Sequence, residues 1–227
     1  MVRITLAALA ALAASACAAD NQLTDAERKA GTVLLFDGGD PSGWLVGTTG
    51  KPAPTPVVEA GTLNPHKMGP GKNLYTKDRY ANFKLTGEFK VSKGCNSGIF
   101  LRMADPKDEV QTALEIQIFD SHGKPPTKHS CGALYDVQAP TKTACKPAGE
   151  WTPFAITASG PTVEVAMNGE TILEADLDKL DKPGVSLDGQ KNKFKAALKD
   201  FPREGHIGIQ DHGQDVWYKN LKVTRIK

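Results

Sequence analysis

Three stretches of the chain place apolar residues on one side of a β-strand and chemically capable residues on the other. In Asn96-Ser97-Gly98-Ile99-Phe100-Leu101-Arg102, strand alternation sends Ile99 and Leu101 one way and Asn96 and Arg102 the other. In Leu114-Glu115-Ile116-Gln117-Ile118 the leucine and isoleucines share a face, leaving Glu115 and Gln117 together. In His206-Ile207-Gly208-Ile209-Gln210-Asp211-His212 the isoleucines again share a face, opposed by His206, Gln210 and His212. A sheet built this way needs a partner layer on its greasy side. Its other side is a polar cleft offering a carboxylate, an imidazole, a guanidinium and amides, a set suited to moving protons on a sugar.

The elements that must carry these residues are β-strands. Phe83, Leu85, Phe89 and Val91 alternate with Lys84, Thr86, Glu88 and Lys90, the pattern of a long half-buried strand. Val33–Phe36, Phe154–Ile156, Val163–Met167, Thr171-Ile172 and Val216–Val223 add further strands, and Asn168-Gly169 is the strongest hairpin turn. Val57–Leu63 reads as a short hairpin turning at Glu59-Ala60-Gly61, after a Pro-rich loop over Lys51–Pro56. Thr24-Asp25-Ala26-Glu27 is a capping box that opens a short helix ending near Gly31. Phe194, Ala197, Leu198 and Phe201 fall at helical spacing before Pro202, which predicts an amphipathic helix of two to three turns within a polar excursion over Glu174–Gly205. That excursion is expected to cap a sheet edge, with a lid over the cleft as the alternative. The sum is an all-β, two-sheet antiparallel sandwich with an N-terminal helix and one helical insertion.

With 227 residues the chain can bury one core, and residues 20–227 read as a single domain. A formal charge of +2 with scattered Lys and Arg offers no nucleic-acid stripe and no membrane-surface patch. Residues 1–19 read as an export leader: Arg3, an apolar run over Ile4–Ala14 too short to span a bilayer, and small residues at Ala14-Ser15-Ala16. Cys17 stands where a bacterial lipoprotein carries its lipid, although Ala14 replaces the preferred leucine. The expectation is an exported monomer in the periplasm or cell envelope, with membrane attachment only through Cys17. In that oxidising setting Cys95, Cys131 and Cys145 should yield a disulfide. Cys131–Cys145 closes a loop of about 15 residues, worth roughly 3 kcal/mol on the chain-entropy account, and is the expected pair; Cys95–Cys131 is its rival.

A set of motifs also occurs in a recognisable order: Leu35-Phe36-Asp37-Gly38 with Gly43-Trp44, Asn96-Ser97-Gly98-Ile99 ending in Arg102, Glu115-Ile116-Gln117-Ile118-Phe119-Asp120, Gly132-Ala133-Leu134-Tyr135, Gly149-Glu150-Trp151, Asn168-Gly169, and Gly208-Ile209-Gln210-Asp211-His212-Gly213. Together they resemble the 3-keto-disaccharide hydrolase domain over about Val33 to Val223. The resemblance implies a concanavalin A/LamG-like jelly-roll sandwich, found on exported bacterial proteins that process oxidised glycosides. Lys219-Asn220 departs from the Arg-Asn usual in that family before its last strand.

The chemistry so implied is cleavage of a 3-keto-glycoside. A ketone at C3 acidifies the hydrogen on C2, so a base can remove it and the enolate can expel the aglycone from C1; hydration completes a net hydrolysis. Glu115, His212 and Arg102 are the expected catalytic residues: carboxylate, base or metal ligand, and holder of the enolate oxygen. Asn96, Gln117, Tyr135, Gln210 and Asp120 are expected to bind substrate. A divalent metal is the one conceivable cofactor, with Glu115, His212 and Asp211 as its candidate ligands. Trp44 and Trp151 are expected to pack, and His129 to be a solvated loop residue. The competing reading is a non-catalytic carbohydrate-binding module of the envelope. Such a module displays a row of aromatics, whereas here aromatics are 7% of residues and the polar faces carry Glu, Arg and His.

Overall fold

The computed structural model describes residues 19–227; residues 1–18, which hold the expected leader and Cys17, lie outside the described residues. The described strands are β1 (Val33–Leu34), β2 (Trp44–Val46), β3 (Val58–Glu59), β4 (Thr62–Leu63), β5 (Leu74–Tyr80), β6 (Phe83–Val91), β7 (Asn96–Met103), β8 (Leu114–Phe119), β9 (Thr152–Ser159), β10 (Thr162–Met167), β11 (Glu170–Asp176), β12 (Gly205–Ile209) and β13 (Val216–Arg225). One sheet runs β11, β10, β9, β6, β13, β4, β3, with β1 also paired to β13; the other runs β2, β5, β12, β7, β8. All their pairings are antiparallel.

The alternation read from the sequence is what builds the sandwich. Phe83, Leu85, Phe89 and Val91 of β6 are buried and join Trp44, Leu74, Ile99, Ile116, Ile118, Ile207 and Ile209 of the smaller sheet in one core. A polar link crosses that core: the Ser97 hydroxyl donates to the Gln210 carbonyl at 2.7 Å and meets the Tyr218 hydroxyl at 2.9 Å. The Asn168-Gly169 turn takes positive φ at both residues, 50° and 79°, as a type I′ hairpin requires. The first helix (Asp25–Lys29) carries the expected capping box. Lys219, the family departure, braces the outer face of the larger sheet, paired to Asp20 at 2.8 Å and lying over the Trp151 ring.

The insertion between β11 and β12 differs from expectation. Where the helix was expected, only Leu198–Asp200 makes a single 3₁₀ turn, and Ala197 is extended with ψ 136°. The Asn192 carboxamide oxygen captures the Phe194 amide at 3.1 Å, an Asx turn that competes with a helical start. Two to three turns in isolation would also be too short to hold. The four apolar residues are buried all the same, with the Phe194 and Phe201 rings edge to face at 5.3 Å.

Arg102 also departs from the simple pattern. It has φ 50°, and β7 spends three residues from Phe100 to Met103 where β12 spends two from His206 to Gly208. This bulge puts Met103 with Phe100, Tyr75 and Ala113 on the outer face and turns Arg102 away from it. The guanidinium is buried and donates to the Ala81 carbonyl at 2.7 Å, the Gly160 carbonyl at 2.7 Å and the Asn82 carboxamide oxygen at 3.3 Å. Burial pulls its pKa down to about 10. Arg102 is a brace that fastens the β5–β6 and β9–β10 turns to β7. Replacing it with Met should therefore take the donor from two partly buried carbonyls and lower stability by about 2–4 kcal/mol; a urea midpoint unchanged from wild type would contradict this role.

Candidate active site

The outer face of the smaller sheet is half apolar and half polar. Toward the His206 end lie Leu45, Tyr75, Phe100, Met103 and Ala113. Toward the Asn96 end, cross-strand register puts Gln117 beside Gly98, and the Gln210 amide donates to the Gly98 carbonyl at 2.9 Å. Gln117, Gly98 and Gln210 thus form one row across three strands, with no side chain in its middle. The gap is used. A Cβ on residue 98 would lie 2.7 Å from Glu115 Oε1, so glycine there is what lets the carboxylate lie flat across β7.

Glu115 is held from several directions. Its carboxylate is only 6% exposed and receives Lys193 Nζ at 3.0 Å. That ammonium also sits 4.3 Å from the Tyr135 ring centroid, a cation–π contact on a partly desolvated charge. The Lys193 amide donates to Asp136 Oδ2 at 2.6 Å, and Gln111 brackets the segment by donating to the Lys193 carbonyl and accepting from the Lys195 amide. The insertion therefore does more than cap an edge: it delivers a cation onto the polar face. The β8 edge itself is closed by the segment over 131–138, whose Tyr135 amide donates to the Glu115 carbonyl at 2.9 Å. Burial, then the charges of Glu115 and Asp136, push the Tyr135 phenol upward, so it stays protonated.

Two acceptors in the row lack donors. Gln117 gives its amide nitrogen to Asn96 Oδ1 at 3.0 Å, which turns its own oxygen the other way; that oxygen and the Gln210 carboxamide oxygen are buried without a partner among the described residues. Buried unpaired carbonyls are costly, so they mark where a hydroxyl-bearing ligand would return the lost hydrogen bonds.

The structure thus gathers Glu115, Gln117, Asn96, Gln210 and Tyr135. It does not gather the others. Arg102 faces away, as described above. Asp120 accepts from the Gly94 amide at 2.8 Å and serves the β6–β7 turn. Asp211 is buried and occupied by His66 Nδ1 at 3.1 Å and the amides of Gly71 at 2.7 Å and Gly213 at 3.0 Å. His212 is exposed, in the loop after β12. The metal set of Glu115, His212 and Asp211 is accordingly not assembled, and no three His, Cys, Asp or Glu side chains among the described residues form a metal cluster.

A family model described as the 3-keto-alpha-glucoside-1,2-lyase-like domain matches residues 31–224. The chain belongs to this family. Within it, the 3-keto-disaccharide hydrolase of Bacteroides thetaiotaomicron is 30% identical over 225 residues, covering 85% of this chain and 78% of that protein. Two candidate glycosyl hydrolases of Parabacteroides distasonis known from crystal structures are also similar. One is 25% identical with a TM-score of 0.74, over 92% of this chain and all of its own; the other is 32% identical with a TM-score of 0.65, over 69% and 84%. At family level the chain is a 3-keto-disaccharide hydrolase-type glycosidase with a jelly-roll fold.

The structure also brings into contact residues that the sequence pattern did not mark. Lys193 sits in a Lys-rich excursion where nothing distinguishes it from solvated lysines. His129, read as a solvated loop residue, is exposed but ordered against the Tyr135 ring at 5.0 Å and Asp136 Oδ1 at 3.2 Å. His66 follows Asn64-Pro65 in a loop that carried no strand or helix signal. Removing one partner of the Glu115–Lys193 pair should strand the other. Lys193→Met is expected to cost about 1–3 kcal/mol, less than a fully buried pair because Lys193 retains some solvent, and adding Glu115→Gln should recover most of that. A denaturant double-mutant cycle with no coupling would show the pair to be incidental.

Proposed function

We propose that this protein cleaves the glycosidic bond of 3-keto-glycosides by removing the C2 proton, expelling the aglycone and hydrating the product. The observation that carries this reading is the Glu115 carboxylate lying across Gly98, paired with Lys193 and flanked by two unpartnered carboxamide oxygens. Glu115 takes the C2 proton. Lys193, displaced from the carboxylate as substrate enters, holds the enolate oxygen at C3, the part first expected of Arg102. Gln117 and Gln210 accept from ring hydroxyls, and Asn96 fixes the orientation of Gln117. This route needs no spaced pair of carboxylates. Catalysis is favoured over simple binding because Tyr75 and Phe100 are buried and Tyr135, half-buried, carries Lys193 on its ring, which leaves no row of exposed aromatics as a stacking platform.

The protein works, on this reading, after export to the periplasm or envelope as a monomer, anchored only if Cys17 carries a lipid. Cys95, Cys131 and Cys145 are free, buried thiols in the structure, so the expected disulfide is not formed there. Ser121 Oγ accepts from the Cys131 amide at 3.1 Å and stands 3.8 Å from Cys145 Sγ, which brings those two cysteines together. In an oxidising compartment Cys131 and Cys145 form the bond. Non-reducing peptide mapping of the exported protein should recover them joined; a bridge through Cys95 would refute the pairing.

Incubation with 3-keto-trehalose, 3-keto-lactose or a methyl 3-keto-glucoside, with and without chelator, should release the aglycone sugar or alcohol. Glu115→Gln keeps size while removing the base, and should lower turnover by about 10²–10⁴-fold. The unoxidised parent glycosides should not react, because their C2 hydrogen is not acidic. Rapid cleavage of a parent glycoside, or full activity in Glu115→Gln, would overturn the mechanism.

A further inference from the structure

The elimination leaves one proton unaccounted for: the departing glycosidic oxygen must receive one. His212, first expected to handle protons, is exposed and makes no side-chain hydrogen bond among the described residues. A different histidine is built for the task. His66 Nδ1 donates to Asp211 Oδ1 at 3.1 Å, and the Asp211 carboxylate is fully buried while the His66 side chain keeps 30% exposure. The same carboxylate is fixed by the amides of Gly71 and Gly213. The imidazole is fixed from its own backbone too, since Asn64 Oδ1 accepts the His66 amide at 3.2 Å and Pro65 rigidifies the approach. A buried aspartate on Nδ1 sets the tautomer and leaves Nε2 to face outward, and Nε2 has no partner among the described residues.

The place is also right. Asp211 directly follows Gln210, whose amide is bonded to Gly98 in the row beneath Glu115. With strands about 4.8 Å apart, Gln210 lies about 10 Å from Gln117, and the Glu115 carboxylate lies between them over Gly98. The Asp211 amide is bonded to Asn73 Oδ1 at 2.9 Å, and Asn73 Nδ2 reaches Glu109 Oε1 at 3.1 Å, so the segment over 104–113 that covers the apolar half of the face is tied to the same point. Through Asp211, His66 is tied to the chain just past Gln210, at one end of the row. Lys67 and Met68, next in the chain, line a hollow of about 480 Å³ with Thr48, Lys51, Pro52 and Lys72, within the size range of small-ligand pockets.

We infer that His66, oriented by Asp211, is the catalytic acid that protonates the leaving glycosidic oxygen, with the aglycone in the hollow beside it. The inference rests on the reading of Glu115 as the C2 base. As Glu115 takes the C2 proton the charge passes to the C3 enolate; its collapse forms the C1–C2 double bond, the C1–O bond breaks, and the departing pair takes the Nε2 proton of the His66 imidazolium. In the second half the neutral imidazole accepts a proton from water as the hydroxyl adds to C1, and Glu115 returns its proton to C2. One water is consumed and both groups are restored. Asp211 acts through His66 and is a positioning residue.

The test compares two substrates, methyl 3-keto-glucoside and 4-nitrophenyl 3-keto-glucoside. Methoxide is a poor leaving group that needs protonation; nitrophenolate leaves without it. His66→Asn should lower kcat/KM on the methyl glycoside by about 10²–10³-fold and change the nitrophenyl substrate by less than about threefold. Retained nitrophenyl activity also shows that the variant is folded. Asp211→Asn should reproduce the leaving-group dependence in weaker form, acting on kcat rather than KM. Equal losses on both substrates, or none on either, would overturn the role of His66. Failure of the folded wild type to release either aglycone would instead overturn the functional reading on which it rests.

Discussion

A carboxylate withdrawn from water must be given a counter-charge, and the Glu115–Lys193 pair is that requirement met at 3.0 Å. Much of the local architecture follows from it. Gly98 must lack a side chain so that the carboxylate can lie across the neighbouring strand. The β11–β12 connection must cross onto the outer face, and it cannot be an ordinary surface loop because its backbone has to be pinned where the ammonium is needed. Asp136 and Gln111 supply those pins. The apolar residues of the insertion, Phe194 and Phe201 above all, are buried not to make a helix but to anchor the loop that brings the lysine.

The distribution of satisfied and unsatisfied groups separates structure from function on this face. Where polar groups are paired, as at Asp120, they hold turns together. Of the three carboxamide oxygens buried without a partner among the described residues, those of Gln117 and Gln210 border the glycine gap, and the third, of Gln138, lies by β11. A fold tolerates such deficits rarely, and chiefly where something from outside completes them.

Much of this was legible before any coordinates, because period-2 alternation is a direct consequence of strand geometry. It identified the faces of β7, β8 and β12, and hence Asn96, Glu115, Gln117 and Gln210. It failed at Arg102 because a bulge adds one residue and reverses the faces beyond it, and the only local trace is a positive φ that an arginine sequence does not announce. Helical spacing misled at Phe194–Phe201 because i, i+3, i+4 positions also satisfy a loop that buries every third or fourth side chain against a sheet. Lys193 and His66 were invisible for a different reason: each is positioned by contacts with residues more than 75 positions away, Glu115 for the lysine and Asp211 for the histidine. No local pattern encodes a partner that distant.

The polar cleft also sits at a margin of its sheet, since β8 is the last strand. An open last strand invites foreign strands to add to it, the usual route to aggregation and domain swapping. Here the amides of Gln117, Gly132 and Tyr135 and the carbonyls of Ala133, Gln117 and Glu115 are spent on one another along that margin. The segment that closes the edge is the one that brings Tyr135 and Asp136 to the carboxylate. A stranger chain could pair with β8 only by evicting that segment, so the same few main-chain hydrogen bonds cover the edge and hold the cleft together.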